Sequence, residues 1–361
     1  MLQHCTRPRI PTRLPPSRVP PQHRYFSVPS NRSTINLNPF NSTGLKHKPL
    51  PHKSTRHLTT SPPTMSSPQK DWSANQYLKF RTERTRPVYD LVSQITPLLL
   101  APTTSTSSSS QITRKLRIHD LGCGPGNSTQ VLYDTFPGAR ITGMDSSADM
   151  LSKANATFSK LQNGDVDFIQ ADLATYTLPN ETTDLVFSNA AFHWLPSPHR
   201  IPTLTRLFTS LPQSGVIAIQ MPDNYHAPTH TLMRLTASLP GTPWSSYFAN
   251  TRIGDISDPT RPDLDPIESP GEFYNALSPL ATGVNVWRTE YMHVLDDARG
   301  IVEWVKGTGL QPYLNRIGDD EGARRGFLEE YERRLKEAYP VLGDGKVMLG
   351  YPRLFVVAVR K

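Results

Sequence analysis

The first 64 residues contain no aspartate and no glutamate, although ten of the chain's 39 lysines and arginines fall there. The formal net charge of +8 therefore belongs to this stretch, and the rest of the 361-residue chain holds slightly more acid than base. Without a basic excess in the body, phosphate neutralisation has no footing and no nucleic-acid partner is expected. Cysteine is nearly absent. Cys5 lies in the basic stretch and Cys123 is alone in the body, which excludes an internal disulfide and a cysteine metal cluster there. No metal is expected, and the composition suits a reducing interior. No apolar run approaches the ~18 residues of a membrane helix, so no membrane partner is expected either. A monomer is the expected state.

The stretch is rich in Arg and Ser and free of acid, the composition of an organellar transit peptide, although its twelve prolines weaken any amphipathic helix there. Residues 1–70 are read as a basic leader without fixed structure, directed to mitochondria. Arg24-Tyr25-Phe26-Ser27 and Arg56-His57-Leu58-Thr59 resemble processing sites. Met65-Ser66-Ser67 offers a second start just before the body, and initiation there would give a cytosolic form.

Residues 71–361 read as one domain. Positions 71–100 form helices that cover the site, with Val88, Leu91, Val92 and Ile95 buried and Pro87 opening the second of two helices. Residues 102–111 are a Ser/Thr linker. Over 114–221, short apolar segments at 116–121, 140–144, 166–170, 184–188 and 215–220 alternate with helical stretches, the rhythm of βαβ units and a parallel sheet. Residues 222–318 break that rhythm. They read as an inserted cap over the substrate, with a strand near 284–294 and a helix at 297–306. A helix at 324–338 and a strand at 354–359 close the chain over 324–361. The expected fold is α/β, a mostly parallel seven-stranded Rossmann-like sheet with helices on both faces and an inserted helical cap.

The strongest motif is Asp120-Leu121-Gly122-Cys123-Gly124-Pro125-Gly126-Asn127-Ser128, which follows a strand and opens a helix. Glycines allow a tight turn and close approach of backbone to a ligand. The dinucleotide fingerprint would place a third glycine at position 127, where this chain has Asn. The acid two residues before the first glycine instead resembles motif I of class I methyltransferases, which implies S-adenosylmethionine as cofactor. Asp120 is then expected to accept from the cofactor's ammonium group. Asp145, at the tip of the second strand, would accept the ribose hydroxyls. Asp172, ending the third, would accept the adenine amino group, and Asn189, after the fourth, would stand near the sulfonium. Gly122, Gly124, Gly126, Asn127, Ser146, Met150 and Leu173 complete the expected cofactor set. Each acid alone could equally be a solvated strand-end carboxylate; three at successive strand tips after such a loop argue jointly for a site. Cys123 has nothing nearby to activate it and reads as packing.

After the fourth strand comes Asn189-Ala190-Ala191-Phe192-His193-Trp194, without the Pro-Pro-aromatic turn of amine methyltransferases. His193 reads as a base or an anion ligand, or as a histidine packed beside Trp194. The segments Tyr77-Leu78-Lys79-Phe80-Arg81-Thr82-Glu83-Arg84, Met221-Pro222-Asp223-Asn224, Val302-Glu303-Trp304-Val305-Lys306-Gly307-Thr308-Gly309-Leu310 and Tyr351-Pro352-Arg353-Leu354-Phe355 resemble the trans-aconitate 2-methyltransferase family. The resemblance implies methyl transfer to one carboxylate of a small polycarboxylate, giving a monomethyl ester. Such an acceptor needs cationic anchors. Arg84, Arg86, Tyr225, His230 and Arg353 are the expected acceptor contacts, and Arg84, His193 and Asn189 the expected catalytic residues, although an arginine chosen at random is more often a surface ion pair. Departures from the family pattern are the leader, the linker and a segment near 251–270 that extends the cap. The competing activities are O- or C-methylation of a quinone or phenol, and a non-catalytic assembly role on the same fold.

Overall fold

Valine, isoleucine and phenylalanine in short runs with little polar alternation are the signature of strands covered on both faces, and the centre of the sheet is built from them. The computed structural model describes residues 80–100, 115–159, 165–179 and 182–361. The leader, the part of the expected N-terminal helices before Phe80 and the linker at 102–111 lie outside the described residues. Strands β1 (Arg117–Leu121), β2 (Arg140–Asp145), β3 (Val166–Gln170), β4 (Leu185–Asn189) and β5 (Val216–Pro222) are parallel, and β7 (Val347–Arg360) runs antiparallel to both its neighbours, β5 and β6 (Ala281–Leu295). The order across the sheet is β3-β2-β1-β4-β5-β7-β6. This is the Rossmann-like seven-stranded sheet of class I methyltransferases.

Every residue of β4 and β5 is buried. The alternation sorts them onto two cores. Leu185, Phe187, Val216 and Ala218 face helix α1 (Arg81–Leu99) and helix α2 (Asn127–Thr135). Val186, Ile217 and Ile219 face helix α4 (Ser197–Thr209) and helix α7 (Pro270–Leu277). Helix α3 (Ala148–Phe158) packs beside β3. Within α1, Val88, Leu91, Val92 and Ile95 repeat at helical spacing and are all buried. Pro87 does not open a second helix here: α1 runs through it without a break. A proline inside a helix forfeits one backbone bond, and the buried stripe that follows Pro87 outweighs that cost.

A third core lies under the far half of the β6–β7 ladder. Helices α5 (Pro228–Ala237), α6 (Ser245–Phe248), α8 (Ala298–Lys306), α9 (Gln311–Ile317) and α10 (Glu321–Ala338) pack Met233, Phe248, Trp304, Tyr313, Phe327 and Tyr331 together. This layer roofs the carboxyl ends of the parallel strands, where ligands bind in open α/β sheets. On the surface of α10, Arg334 pairs with Glu330 four residues earlier, and Arg333 pairs with Glu330 and Glu337.

Candidate active site

The loop after β1 turns on glycines in left-handed conformations. Gly122 has φ +74°, and a Cβ there would stand 2.2 Å from Ala191 Cβ. Gly124 has φ +55° with nothing within 4 Å of such a Cβ, so this edge of the loop is open for a ligand. Both line a cavity of about 360 Å³ together with Asn127 and the buried Cys123. Burial, reinforced by the Asp120 and Asp145 carboxylates, holds the Cys123 thiol protonated. Gly126 is off the cavity wall. It caps α2 at φ +91°, and a Cβ there would meet the Phe158 ring at 3.0 Å, so its glycine serves the packing of α2 on α3.

Asp120 is also off the wall, contrary to the expected contact with a cofactor ammonium. It is fully buried on the α2 face of β1, where its Oδ2 accepts from the Ser128 and Thr129 hydroxyls at 2.7 Å each. Burial raises its pKa to about 6, against the pull of those two bonds. Its place in the structure is behind the loop, where it ties β1 to the first turn of α2.

The other expected cofactor residues meet at the cavity. Asp145, at the tip of β2, accepts from Gly124 N–H through Oδ2 and from Ser147 N–H through Oδ1, both at 2.9 Å. These two bonds fix the carboxylate's plane against the wall. Ser147 caps α3 by accepting from Met150 N–H, which brings Ser146 and Met150 to the same wall. Asp172 sits two residues past β3 rather than on it. Its Oδ1 accepts from Ala174 N–H at 2.9 Å, a turn that presents Asp172 and Leu173 to the cavity. Asn189 ends β4 on the wall with its Oδ1 buried and unpaired.

Beyond Asn189 the walls change character. His193 rides on the single turn Phe192–Trp194 with its ring 4.8 Å from that of Trp194. Burial, and the nearby Arg200, Arg353 and His230, hold its pKa well below the usual histidine value, so the imidazole is neutral. His230 bonds Thr229 Oγ1 through Nδ1 at 3.0 Å, and burial lowers its pKa to about 3. Its Nε2 reaches over Gly309, where a Cβ would stand 2.7 Å away. Arg84 is buried at the wall, donating to the Trp304 carbonyl at 2.8 Å with its guanidinium over the Trp304 ring. Arg353 is buried too. Its Nη1 donates to Gln220 Oε1 at 2.9 Å, and the guanidinium lies over Tyr351.

Two expected contacts are elsewhere. Arg86 is exposed and pairs with Asp90, because residues two apart on a helix lie about 200° around it, so Arg84 and Arg86 point opposite ways. Tyr225 donates to the Gly254 carbonyl and stacks under Arg234. It lines a small adjoining recess instead of the main cavity. The residues that sequence reasoning missed are Trp304, Tyr351, Gly309 and Leu264. The first three stand inside family-like segments, which was the available signal; Leu264 lies in the extended cap and carried none.

The strand order arranges these groups along one edge. Asp172, Asp145, the glycine loop, Asn189, Pro222 and Arg353 follow one another from β3 to β7, since Pro222 is the register partner of Arg353. Four strand steps from Asp145 to Arg353 span about 19 Å at about 4.8 Å each. Carboxylates occupy one end and buried guanidiniums the other. The carboxylate end suits hydroxyl and amino donors, and the open edge at Gly124 with the apolar Met150 and Leu173 suits a nucleoside joined to an amino-acid chain. The residues present therefore fit S-adenosylmethionine, the cofactor of this enzyme class.

Residues 118–215 match the family model described as a methyltransferase domain. Over 290 residues the chain is 44% identical to trans-aconitate 2-methyltransferase of Agrobacterium fabrum, covering 80% of this chain and 99% of the relative. The enzyme of the same name from Rhizobium rhizogenes is 42% identical with the same coverage. Among solved structures, the YcgJ protein of Bacillus subtilis aligns at 12% identity and a TM-score of 0.41, covering 68% of this chain and 92% of that one. With a two-ended cavity on this sheet and relatives matched along almost their whole length, the chain belongs to the trans-aconitate 2-methyltransferase family.

Proposed function

We propose that the enzyme transfers a methyl group from S-adenosylmethionine to a carboxylate of trans-aconitate or a similar small polycarboxylate, giving a monomethyl ester. The observation that carries this reading is the buried guanidinium pair: Arg84 from α1 and Arg353 from β7 share a wall of the cavity that also holds Asp145 and Asp172. Two guanidiniums on one cavity make that end electropositive, which favours an anionic ligand. The relatives' name supplies the anion's identity.

S-adenosylmethionine, when bound, supplies a methyl group made electrophilic by its sulfonium. Asp145 and Asp172 would hold its ribose and adenine. The chain's remaining task is to present the acceptor. Arg84 and Arg353 would grip its non-reacting carboxylates. Neutral His193 and His230 can each donate one hydrogen bond without adding charge. Trp304, Tyr351 and Leu264 exclude water, which strips the reacting carboxylate of the solvation that makes it a weak nucleophile. That carboxylate is already ionised near neutral pH, its ordinary pKa being about 4, so no general base is required.

An acceptor panel tests the reading. Trans-aconitate should be preferred over quinones and phenols by the purified enzyme. Preference for an apolar ring would favour the competing O- or C-methylation, and cofactor binding without turnover of any acid would favour a non-catalytic role. We also infer that the acid-free leader directs the chain to mitochondria, on its composition alone. A fluorescent fusion of residues 1–64 that stays in the cytosol would end that inference.

A further inference from the structure

The segment joining α6 to α7, residues 249–269, contains no helix or strand, yet buried charge pins it at several points. Arg261 pairs with Asp263 and Asp265. Asp265 accepts from Ser197 N–H, at the first residue of α4. Glu268 accepts from the Ser197 hydroxyl at 2.7 Å and from Arg200 at 2.6 Å. Arg200 has no exposed surface. It also donates to the carbonyls of Phe192, Leu195 and Pro266, at 3.3, 2.9 and 3.1 Å. One arginine therefore binds the turn that carries His193 to the segment that carries Leu264.

Leu264 lines both the main cavity and the recess beside it, and the recess is shared with His193, Asn224 and His230 but not with Asp145 or Asp172. It puts a branched apolar side chain among His193, Asn224 and His230. A carboxylate finds no partner in a leucine; the carbon skeleton that joins carboxylates does.

We propose that residues 249–269 form the acceptor-specificity element of this enzyme, with Leu264 packing on the acceptor's carbon skeleton and Arg200–Glu268 holding Leu264 and His193 in one wall. The proposal rests on the activity proposed above and adds its selectivity. A leucine wall favours a flat unsaturated skeleton over one bearing a hydroxyl on a tetrahedral carbon. Arg200 and Glu268 are positioning residues, acting through His193 and Leu264 without touching the acceptor themselves.

The test uses the full chain and a fixed panel of trans-aconitate, tricarballylate and citrate, with S-adenosylhomocysteine affinity measured by calorimetry. Removing part of an apolar pocket wall typically shifts kcat/KM about 10- to 200-fold. Leu264→Ala should lower kcat/KM for trans-aconitate at least tenfold and shrink its preference over citrate, with S-adenosylhomocysteine affinity unchanged within twofold. Glu268→Gln should raise the acceptor KM more than it lowers kcat, and Glu268→Asp should recover part of the loss. Ile256→Ala, on an exposed side chain of the same segment, should change nothing. The proposal is overturned if Leu264→Ala keeps wild-type selectivity, or if Leu264→Ala and Glu268→Gln weaken S-adenosylhomocysteine as much as the acceptor. Wild-type turnover reports separately on the activity. Should the wild type prefer another acid of the panel, the assigned substrate changes and the variants are judged on that acid. Should it use none, both readings fall.

Discussion

Gly124 donates its backbone N–H to Oδ2 of Asp145 across 2.9 Å, so the loop after β1 and the tip of β2 are one hydrogen-bonded unit. The acid expected to hold ribose hydroxyls is thereby also a brace for the loop beside it. Substituting Asp145 should act on the cofactor twice, by removing a contact and by loosening the glycine turn. For Asp145→Ala, the loss of a hydrogen bond to a charged group costs about 1.5–3 kcal/mol. S-adenosylhomocysteine affinity measured by calorimetry should fall tenfold or more. Unchanged affinity would remove Asp145 from the cofactor site.

Gly122→Ala tests the turn itself. The new methyl group would sit 2.2 Å from Ala191 Cβ at a backbone φ of +74°, so both sterics and conformation oppose it. A loss of roughly 1–3 kcal/mol of stability is expected, measured by denaturant unfolding, together with weakened cofactor binding. Gly124→Ala, with open space around the added methyl, should cost less stability than Gly122→Ala.

Arg84 and Arg86 form an internal control. Arg84 is buried at the cavity and Arg86 pairs with Asp90 at the surface. Arg84→Ala should raise the acceptor KM at least tenfold with a much smaller effect on the cofactor. Arg86→Ala should change neither beyond twofold, as befits an exposed ion pair. Equal effects of the two substitutions would contradict the assignment.

Acid should destabilise the fold. Burial lowers the pKa of His119 and His293 to about 4 and of His230 to about 3, and holds His193 well below its usual value. In the unfolded chain each histidine binds a proton near pH 6.5. As pH falls below that value the unfolded state gains protons that the folded state refuses, so stability drops. Asp120 acts in the opposite sense. Its folded pKa of about 6 exceeds the ordinary 3.8, so its contribution favours folding at low pH and is lost as pH rises through that window. Asp263, whose pKa burial also raises, acts in the same sense as Asp120. Four histidines against two aspartates still give a net loss on acidification, and Tm should decline from pH 6.5 to 4. Thermal melts across that range that stay level or rise would contradict these protonation states.

The parallel strands were legible because a strand covered on both faces must be apolar throughout, as in Leu185-Val186-Phe187 and Val216-Ile217-Ala218-Ile219. Asp145 and Asp172 were legible because the fold places successive strand tips at one crevice. Other features depend on direction or on contacts distant in the chain. Arg84 and Arg86, two residues apart on one helix, could not both face the cavity, and the contact of Arg84 with Trp304, 220 residues later, is what marks it as the inward one. Asp120 sits in a motif that reads as ligand-binding, yet its orientation toward Ser128 and Thr129 makes it a brace. Leu264 lies in a segment that Arg200, 64 residues earlier, ties down through Pro266 and Glu268, a contact that sequence proximity does not reveal. Pro87 misled because the cost of a proline in a helix is local while the gain from the buried face around it is not.

The most direct measurement is transfer of a labelled methyl group from S-adenosylmethionine to trans-aconitate by the purified enzyme, followed by mild alkali. The expected result is a labelled monomethyl ester whose label is released as methanol by the base. Labelled product that survives alkali, or no transfer to any polycarboxylate while cofactor binding is intact, would contradict carboxylate methylation.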